Sequence, residues 1–292
     1  MQHIKDVNVV LYDPNHDLRT LVIGILREIG FTAIASTEKP ETVKARLGRS
    51  DVDLLIGDVP EIESAMCALV SDVRTRRLGK NPFPVAIGMT SYPDENTISN
   101  IVDAGFDGLA LKPFDAQAFR RRLTFFLHQR KPFVTTADYI GPDRRKEPGK
   151  PGVDANCVNV PNPLRLIAEG VTRDTLKKQI EHAGARLDER KVISCIGGIG
   201  WCASHLDEAI DRNDGSLAHR CIKQLNEIAM DIDGRLERTP FAHMRERCNE
   251  LLQIGTHLEH APKGPEKHDV EELNRLVDSF KRGCNADQAA VA

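Results

Sequence analysis

The chain is short of several features that would settle its class at once. Its seven cysteines stand at irregular spacings, are odd in number and include no Cys-x-x-Cys pair, so a disulfide framework is not expected. The N-terminus has no basic segment leading into an apolar core and cleavage site, and no apolar run is long enough to span a bilayer. These absences exclude a membrane partner and point to the cytoplasm. Charge of one sign is also scarce: the net value is -3, too small for global attraction to nucleic acid or anionic lipid. No Walker loop, cyclic-nucleotide synthesis signature, nucleophile elbow, helix-turn-helix recognition helix or tandem repeat is found. No separate enzymatic output is therefore expected. What remains is ordinary soluble material, 40% hydrophobic and 28% charged over 292 residues, enough for two modest domains.

The first 130 residues alternate between two periodicities. Apolar strands are expected at residues 7 to 12, Phe31 to Ser36, Val52 to Ile56, Val85 to Met89 and Leu109 to Leu111. Amphipathic stretches separate them, beginning with Leu18, Leu21, Val22, Ile25 and Leu26, which stop at Gly30. Asp115 caps a last helix carrying Phe119, Leu123 and Phe126, and the unit closes near Arg130. Repeated β-α units imply an α/β domain over 5–130, a doubly wound five-stranded parallel sheet covered on both faces. Its ligand site should lie beyond the strand C-termini, near a topological switch point.

Residues 131–162 are rich in Gly, Pro and charge and read as a linker. An all-α region, a bundle or hairpin, is expected over 163–261, broken at Asn213-Asp214-Gly215 and at Thr239-Pro240, where Thr239 would cap a new helix. A stripe of Leu217, Ile222, Leu225, Ile228, Met230 and Ile232, with Leu251, Leu252 and Ile254, forms its seam, and homodimerisation is compatible with it. Val270, Leu273, Leu276, Val277 and Phe280 mark a short final helix before a flexible tail within 262–292.

The strand ends carry the chemistry. Asp13 follows the first strand, Asp58 the third, Thr90 the fourth and Lys112 the fifth, so a parallel sheet gathers two carboxylates, a hydroxyl and an ammonium at one rim. That set suits phosphoryl transfer to a carboxylate, with cations neutralising the crowded oxygens. Asp13, Asp58, Met89-Thr90-Ser91 and Ala104-Gly105 leading to Lys112-Pro113-Phe114-Asp115 resemble the landmarks of bacterial two-component response-regulator receiver domains, over about residues 5 to 130. Arg130-Lys131-Pro132-Phe133-Val134 and Tyr139-Ile140-Gly141-Pro142-Asp143-Arg144-Arg145 resemble an extension that follows receivers in some alphaproteobacterial proteins. The resemblance implies a flavodoxin-like strand order 2-1-3-4-5, Asp58 as phosphoacceptor, and Thr90 and Lys112 as the residues sensing the phosphoryl group. It also implies Mg²⁺ held by Asp13, Asp58 and the Pro60 carbonyl, and a sensor histidine kinase or phosphotransfer protein as donor.

Three departures stand beside these matches. Without a gap, Pro14 takes the place of the second acidic residue; a one-residue slide puts Tyr12 at the first. Either way one carboxylate is missing, so Mg²⁺ binding should be weak or absent. Val59-Pro60-Glu61 replaces the usual loop after the acceptor, and Leu109 holds the aromatic switch position.

Plain readings compete with the sharp ones. Asp13 alone is a helix-turn cap, Thr90 a turn hydroxyl and Lys112 a solvated cation. Arg144-Arg145-Lys146 is a solvated linker cluster, with no interleaved aromatics to support RNA binding. Cys195, Cys202 and His205 lack paired metal-ligand spacing. His182, His205, His219, His243 and His257 lack the His-x-x-Lys-Gly setting of phosphotransfer domains and read as packed or solvated. Three functions follow: a phosphorylation-controlled receiver whose helical region contacts a downstream protein, a phosphorylation-independent adaptor built on a receiver, and DNA-binding output, which the balanced charge disfavours.

Overall fold

The computed structural model describes residues 3–49, 51–60, 64–145, 157–261 and 264–291, with side chains through 284 in the last stretch. It begins with alternating strands and helices: β1 Val9–Tyr12, α1 His16–Ile29, β2 Ile34–Thr37, α2 Pro40–Gly48, β3 Leu54–Asp58, α3 Ala65–Arg74, β4 Val85–Thr90, α4 Glu95–Asp103, β5 Gly108–Leu111 and α5 Ala116–His128. The five strands pair in parallel in the order β2-β1-β3-β4-β5, the flavodoxin-like order expected. Every residue of β3 and β4 is buried, which is why these two read as continuous apolar runs: helices cover both faces of the sheet.

Local chemistry sets the element ends. Asn15 caps α1 by accepting from the Asp17 and Leu18 amides at 2.9 and 3.1 Å. Gly30 ends the helix at φ 113°, and a Cβ there would stand 2.9 Å from Ile4 Cγ2, so only glycine fits. Phe31 was expected to open β2, but its amide donates to Leu26 O at 3.0 Å and completes the α1 terminus; β2 starts at Ile34.

Residues 131–162 are not a plain linker. They contain β6 Phe133–Thr135, β7 Ile140–Pro142 and β8 Cys157–Val158, a second sheet ordered β7-β6-β8, with Phe133, Ile140 and Val158 buried. Order is imposed here by distant side chains. The Arg74 and Arg130 guanidinium carbons both lie over the Phe133 ring, 5.0 and 4.9 Å from its centroid, and the ring meets Phe83 edge-on at 5.7 Å. Lys146 and the Pro- and Gly-rich run at 148–152 lie outside the described residues.

The boundary expected at residue 163 also moves. The chain up to Val134 forms one compact unit with Tyr139–Gly184, and Thr135–Asp138 form a second with the chain from Ala185. In the first unit, α6 Pro163–Ala168 buries Leu164 and Ile167, and Asn162 Nδ2 donates to Phe126 O at 2.7 Å. Helix α7, Arg173–Asp211, begins in the same unit: Arg173 Nη1 donates to buried Asp53 at 2.7 Å.

The second unit packs the later part of α7 with α8 Gly215–Leu236, a 3-10 turn Pro240–Met244, α9 Arg245–His260 and α10 Lys267–Val291 around one apolar core. The expected breaks are present, with Asp214 accepting from the Leu217 amide at 2.9 Å and Thr239 from that of Phe241 at 3.3 Å. Two expectations fail. Met230 is 60% exposed, because it falls on the face opposite buried Ile228 and Ile232 at helical spacing. The final helix is not short: buried Cys284 extends the stripe beyond Phe280, and the helix runs to Val291. No helix among the described residues is long and apolar enough to cross a membrane.

Charge is buried in this unit as well. Arg235 donates to Asp188 at 2.6 Å and Asp231 at 2.9 Å, and Arg238 reaches Asp188 at 3.2 Å. Lys191 pairs with Asp231 at 3.5 Å and donates to Thr136 O at 2.9 Å. Replacing Asp188 takes a charged hydrogen bond from buried Arg235, which keeps Asp231 as a carboxylate partner, at a cost of about 1.5–3 kcal/mol; urea unfolding followed through Trp201, the single tryptophan and part of α7, should shift by that amount for Asp188→Ala. A second expectation concerns the moved boundary. A chain ending at Gly184 should unfold cooperatively, whereas one ending at Arg130 loses at least the burial of Phe133, worth about 3–5 kcal/mol, and should melt at a clearly lower temperature by circular dichroism.

Candidate functional site

The C-terminal rim of the sheet collects the residues that strand ends pointed to. Asp13 follows β1 directly, and its backbone amide donates to Thr37 O at 3.3 Å, tying the acid to the β2 side. Its carboxylate accepts from the Asn15 amide at 2.8 Å, the turn-cap role the plain reading gave it. Asp58 is the last residue of β3. The next amide, of Val59, donates to Met89 O at 2.7 Å and holds the exit of β3 against β4. A Cβ on Gly57 just before it would stand 2.4 Å from Met66 Cε of α3, so that side chain packs directly on the strand backbone.

Lys112 follows β5, and its backbone amide donates to Thr90 O at 2.7 Å. Its ammonium donates to Asp13 Oδ2 and Asp58 Oδ1, both at 2.6 Å, so the two carboxylates come within about 5 Å of each other at hydrogen-bonding lengths. The three side chains are 8%, 1% and 10% exposed. Asp13, not Tyr12, is thus the first-strand group at the rim. Thr90 is buried on the neighbouring strand, and its hydroxyl accepts from the Tyr92 amide at 3.1 Å.

Burial pushes the Asp58 carboxyl above its ordinary range; the Lys112 hydrogen bond and charge pull the other way, and the Asp13 charge adds to the rise. The Tyr12 phenol is raised for the same leading reason, burial, with Asp58 and Asp13 contributing. One participant had no distinctive signal in the sequence. Arg19, on the first turns of α1, donates to the carbonyls of Asp13 and Pro14 at 2.6 and 3.1 Å and lies 3.7 Å from Glu38, fixing the loop that carries Asp13.

Two carboxylates and the exposed Pro60 carbonyl beyond Asp58 are hard oxygen donors, which fits a small divalent cation. Among the described residues no cluster of three or more His, Cys, Asp or Glu forms, so a cation at the rim would rest on these donors and water. Glu61 lies outside the described residues. Leu109 is half-buried and packs against the apolar core between sheet and helices.

The remaining candidates do not converge. Arg144 donates to Phe106 O, and Arg145 to Asp143 Oδ1 at 2.8 Å and Oδ2 at 2.6 Å, holding the Asp143 carboxyl down to about 2; these arginines are engaged within the chain. Cys195 and Cys202 are buried thiols pushed up to about 12 by burial, and His205 stacks on Trp201 at 3.9 Å. His182, His219, His243 and His257 are exposed. All seven cysteines are free.

No protein-family profile and no curated protein matches the chain. Solved structures do. The chemotaxis protein CheY4 of Vibrio cholerae is 19% identical over 40% of this chain and 96% of its own, with a TM-score of 0.36. The receiver domain of a sensor histidine kinase from Pseudomonas aeruginosa, with magnesium coordinated in its active-site cleft, is 18% identical over 40% of this chain and 94% of its own, with a TM-score of 0.35. A response regulator from Thermotoga maritima is 23% identical over 40% and 95%, with a TM-score of 0.35.

The raised Asp58 carboxyl makes a stability prediction. Folding holds its proton to a higher pH than the unfolded chain does, so stability falls as pH rises from the ordinary carboxylate range through the raised native value, and the penalty stays constant to neutrality. Asp58→Asn keeps the shape and removes that penalty, while Lys112 retains Asp13. Hydrogen-exchange protection of the β3 and β4 amides should rise in the variant at pH 7, and the gain should vanish in acid where both states of the parent are protonated.

Proposed function

We propose that the chain is a response-regulator-like signal-transduction protein of the cytoplasm. In this reading Asp58 accepts a phosphoryl group from a phosphohistidine on a sensor histidine kinase or phosphotransfer protein, and the change alters how the helical unit contacts a downstream protein. The observation that carries it is the Lys112 ammonium held at 2.6 Å from both Asp13 and Asp58 at the rim where open parallel sheets bind ligands.

The chemistry follows from the donors. A carboxylate oxygen of Asp58 attacks phosphorus, the new O–P bond replaces the N–P bond, and the departing imidazole nitrogen keeps the electron pair and is protonated from solvent. Lys112 can leave one carboxylate to pair with a phosphoryl oxygen, since an ammonium is a rotatable point charge. The Thr90 hydroxyl, one residue beyond Met89, which is the register partner of Asp58, would donate to another. A divalent cation, when bound by Asp13, Asp58 and the Pro60 carbonyl, would supply neutralising charge. The charge moves from the Asp58 carboxylate to the phosphoryl oxygens as the acyl phosphate forms, and existing conformers are redistributed. No separate catalytic output is assigned to the helical unit.

A second reading, an adaptor that never takes up a phosphoryl group, draws on Pro14 in the acidic loop and on Leu109, which has no hydroxyl to swing. Acetyl phosphate with Mg²⁺ separates the two. The first reading expects the full chain to gain the mass of one phosphoryl group, Asp58→Ala to gain none, and Lys112→Ala to react about 100-fold or more slowly. No mass gain, with partner binding unchanged between parent and Asp58→Ala, would establish the adaptor.

A further inference from the structure

Strand β5 is four residues long, and the residues flanking it hold charged networks at opposite edges of the sheet. Lys112 lies at one end; Asp107, about 16 Å away along an extended strand, lies at the other. Both flanks are laddered to β4, through Lys112 N to Thr90 O and Asp107 N to Ala86 O, each 2.7 Å.

The Asp107 carboxylate is saturated. It accepts from Arg74 Nη2 at 2.8 Å, from Arg130 Nε at 2.9 Å and Nη2 at 3.1 Å, and from the Ala86 amide at 2.9 Å. Arg74 donates further to the carbonyls of Gly105, Pro82 and Pro84, and Arg130 to those of Phe83, Pro84 and Pro161. Both guanidinium groups lie over the ring of Phe133 in the extension. Backbone meets backbone beside it: a Cβ on Gly105 would stand 2.9 Å from Ile140 O, and one on Gly141 would stand 2.9 Å from Gly105 Cα. The extension therefore rests on the turn that enters β5 at glycine backbone on both sides.

Burying one carboxylate with two guanidiniums gains little stability over apolar packing of the same volume. It does impose geometry, because charge-assisted hydrogen bonds weaken steeply when misaligned. A displacement of β5 cannot be absorbed at this end without breaking some of them.

We propose that β5 and the Asp107 node form a conformational relay through which the state of the rim site sets the docking of Phe133–Val134 and Ile140–Pro142. The extension is then the regulated element of the sheet unit. For its natural trigger the relay rests on Asp58 accepting a phosphoryl group. When Lys112 shifts toward that group, β5 moves with it, and the node converts the movement into loosened or tightened seating of the extension.

The test is hydrogen exchange on the full chain with and without acetyl phosphate and Mg²⁺, each sample split for intact mass. Loading should change exchange at the Val134, Ile140 and Gly141 amides by at least about fivefold. Phe133→Leu, which keeps an apolar group but removes the ring that the guanidiniums cover, should take up the phosphoryl group equally and lose the change; circular dichroism checks that it folds. Uptake in the parent with unchanged exchange overturns the relay and leaves the phosphoacceptor reading intact. Lys112→Gln supplies a trigger that needs no phosphoryl group: altered exchange at the same amides supports the relay even if Asp58 is never modified, and unaltered exchange overturns it.

Discussion

Two carboxylates buried at the ends of neighbouring strands repel one another and resist ionisation unless a cation lies between them, and Lys112 is that cation. Much of the sheet unit can be understood from this demand. Strands β1 and β3 are adjacent, so Asp13 and Asp58 meet without help, but Lys112 leaves from β5, two strand positions from β3, or about 9–10 Å across the sheet. Only a long, flexible cation can span that gap. The intervening strand ends in the short side chain of Thr90. The ladder bond from Lys112 N to Thr90 O fixes where the lysine stem begins.

The two edges of the sheet show how environment sorts residues of the same type. Asp107 receives four donors and is locked. Asp53, on the same N-terminal edge, accepts from the Asn8 amide and Arg173, and the node residues there are as buried as the core. Burial leaves both the Asp53 and the Asp58 carboxyl harder to ionise than usual, but Asp58 shares its one ammonium with a second carboxylate. A carboxylate with unmet demand for positive charge is one that gains from a new partner; a saturated one is structural.

Legibility in the sequence followed the range of the forces involved. β3 and β4 announced themselves because each residue is buried, and the rim residues because strand ends are positional facts. Asp115, Asp214 and Thr239 could be read as caps or breaks from their own neighbours. The described parts of the segment, residues 131–145 and 157–162, could not, since their order comes from Arg74 and Asp107, which are far off in the chain, and the Gly and Pro content mimics a linker. The unit boundary was hidden for a related reason: α7 runs unbroken through residue 184, so helical periodicity gives no sign of where one core ends. Met230 is apolar but lies about 200° around the helix from both Ile228 and Ile232, so its residue type suggests a seam position that its angle denies.

The missing acid at Pro14 bears on what kind of switch this rim can be. Two carboxylates and one ammonium meet at the rim, a formal sum of one net negative charge. On the phosphoacceptor reading, the acyl phosphate replaces one carboxylate charge by about -1.5 to -2, so the modified rim is more negative than the resting one. Attraction for a divalent cation is therefore weak before transfer and stronger during and after it. Interactions that strengthen only as the reaction proceeds accelerate it, whereas equal binding before and after would not. A second acid beside Asp13 would raise affinity in both states and blur that difference. On that reading, Pro14 lowers resting cation affinity without abolishing the means of stabilising a phosphorylated Asp58, and it would tie cation occupancy to the state of the acceptor.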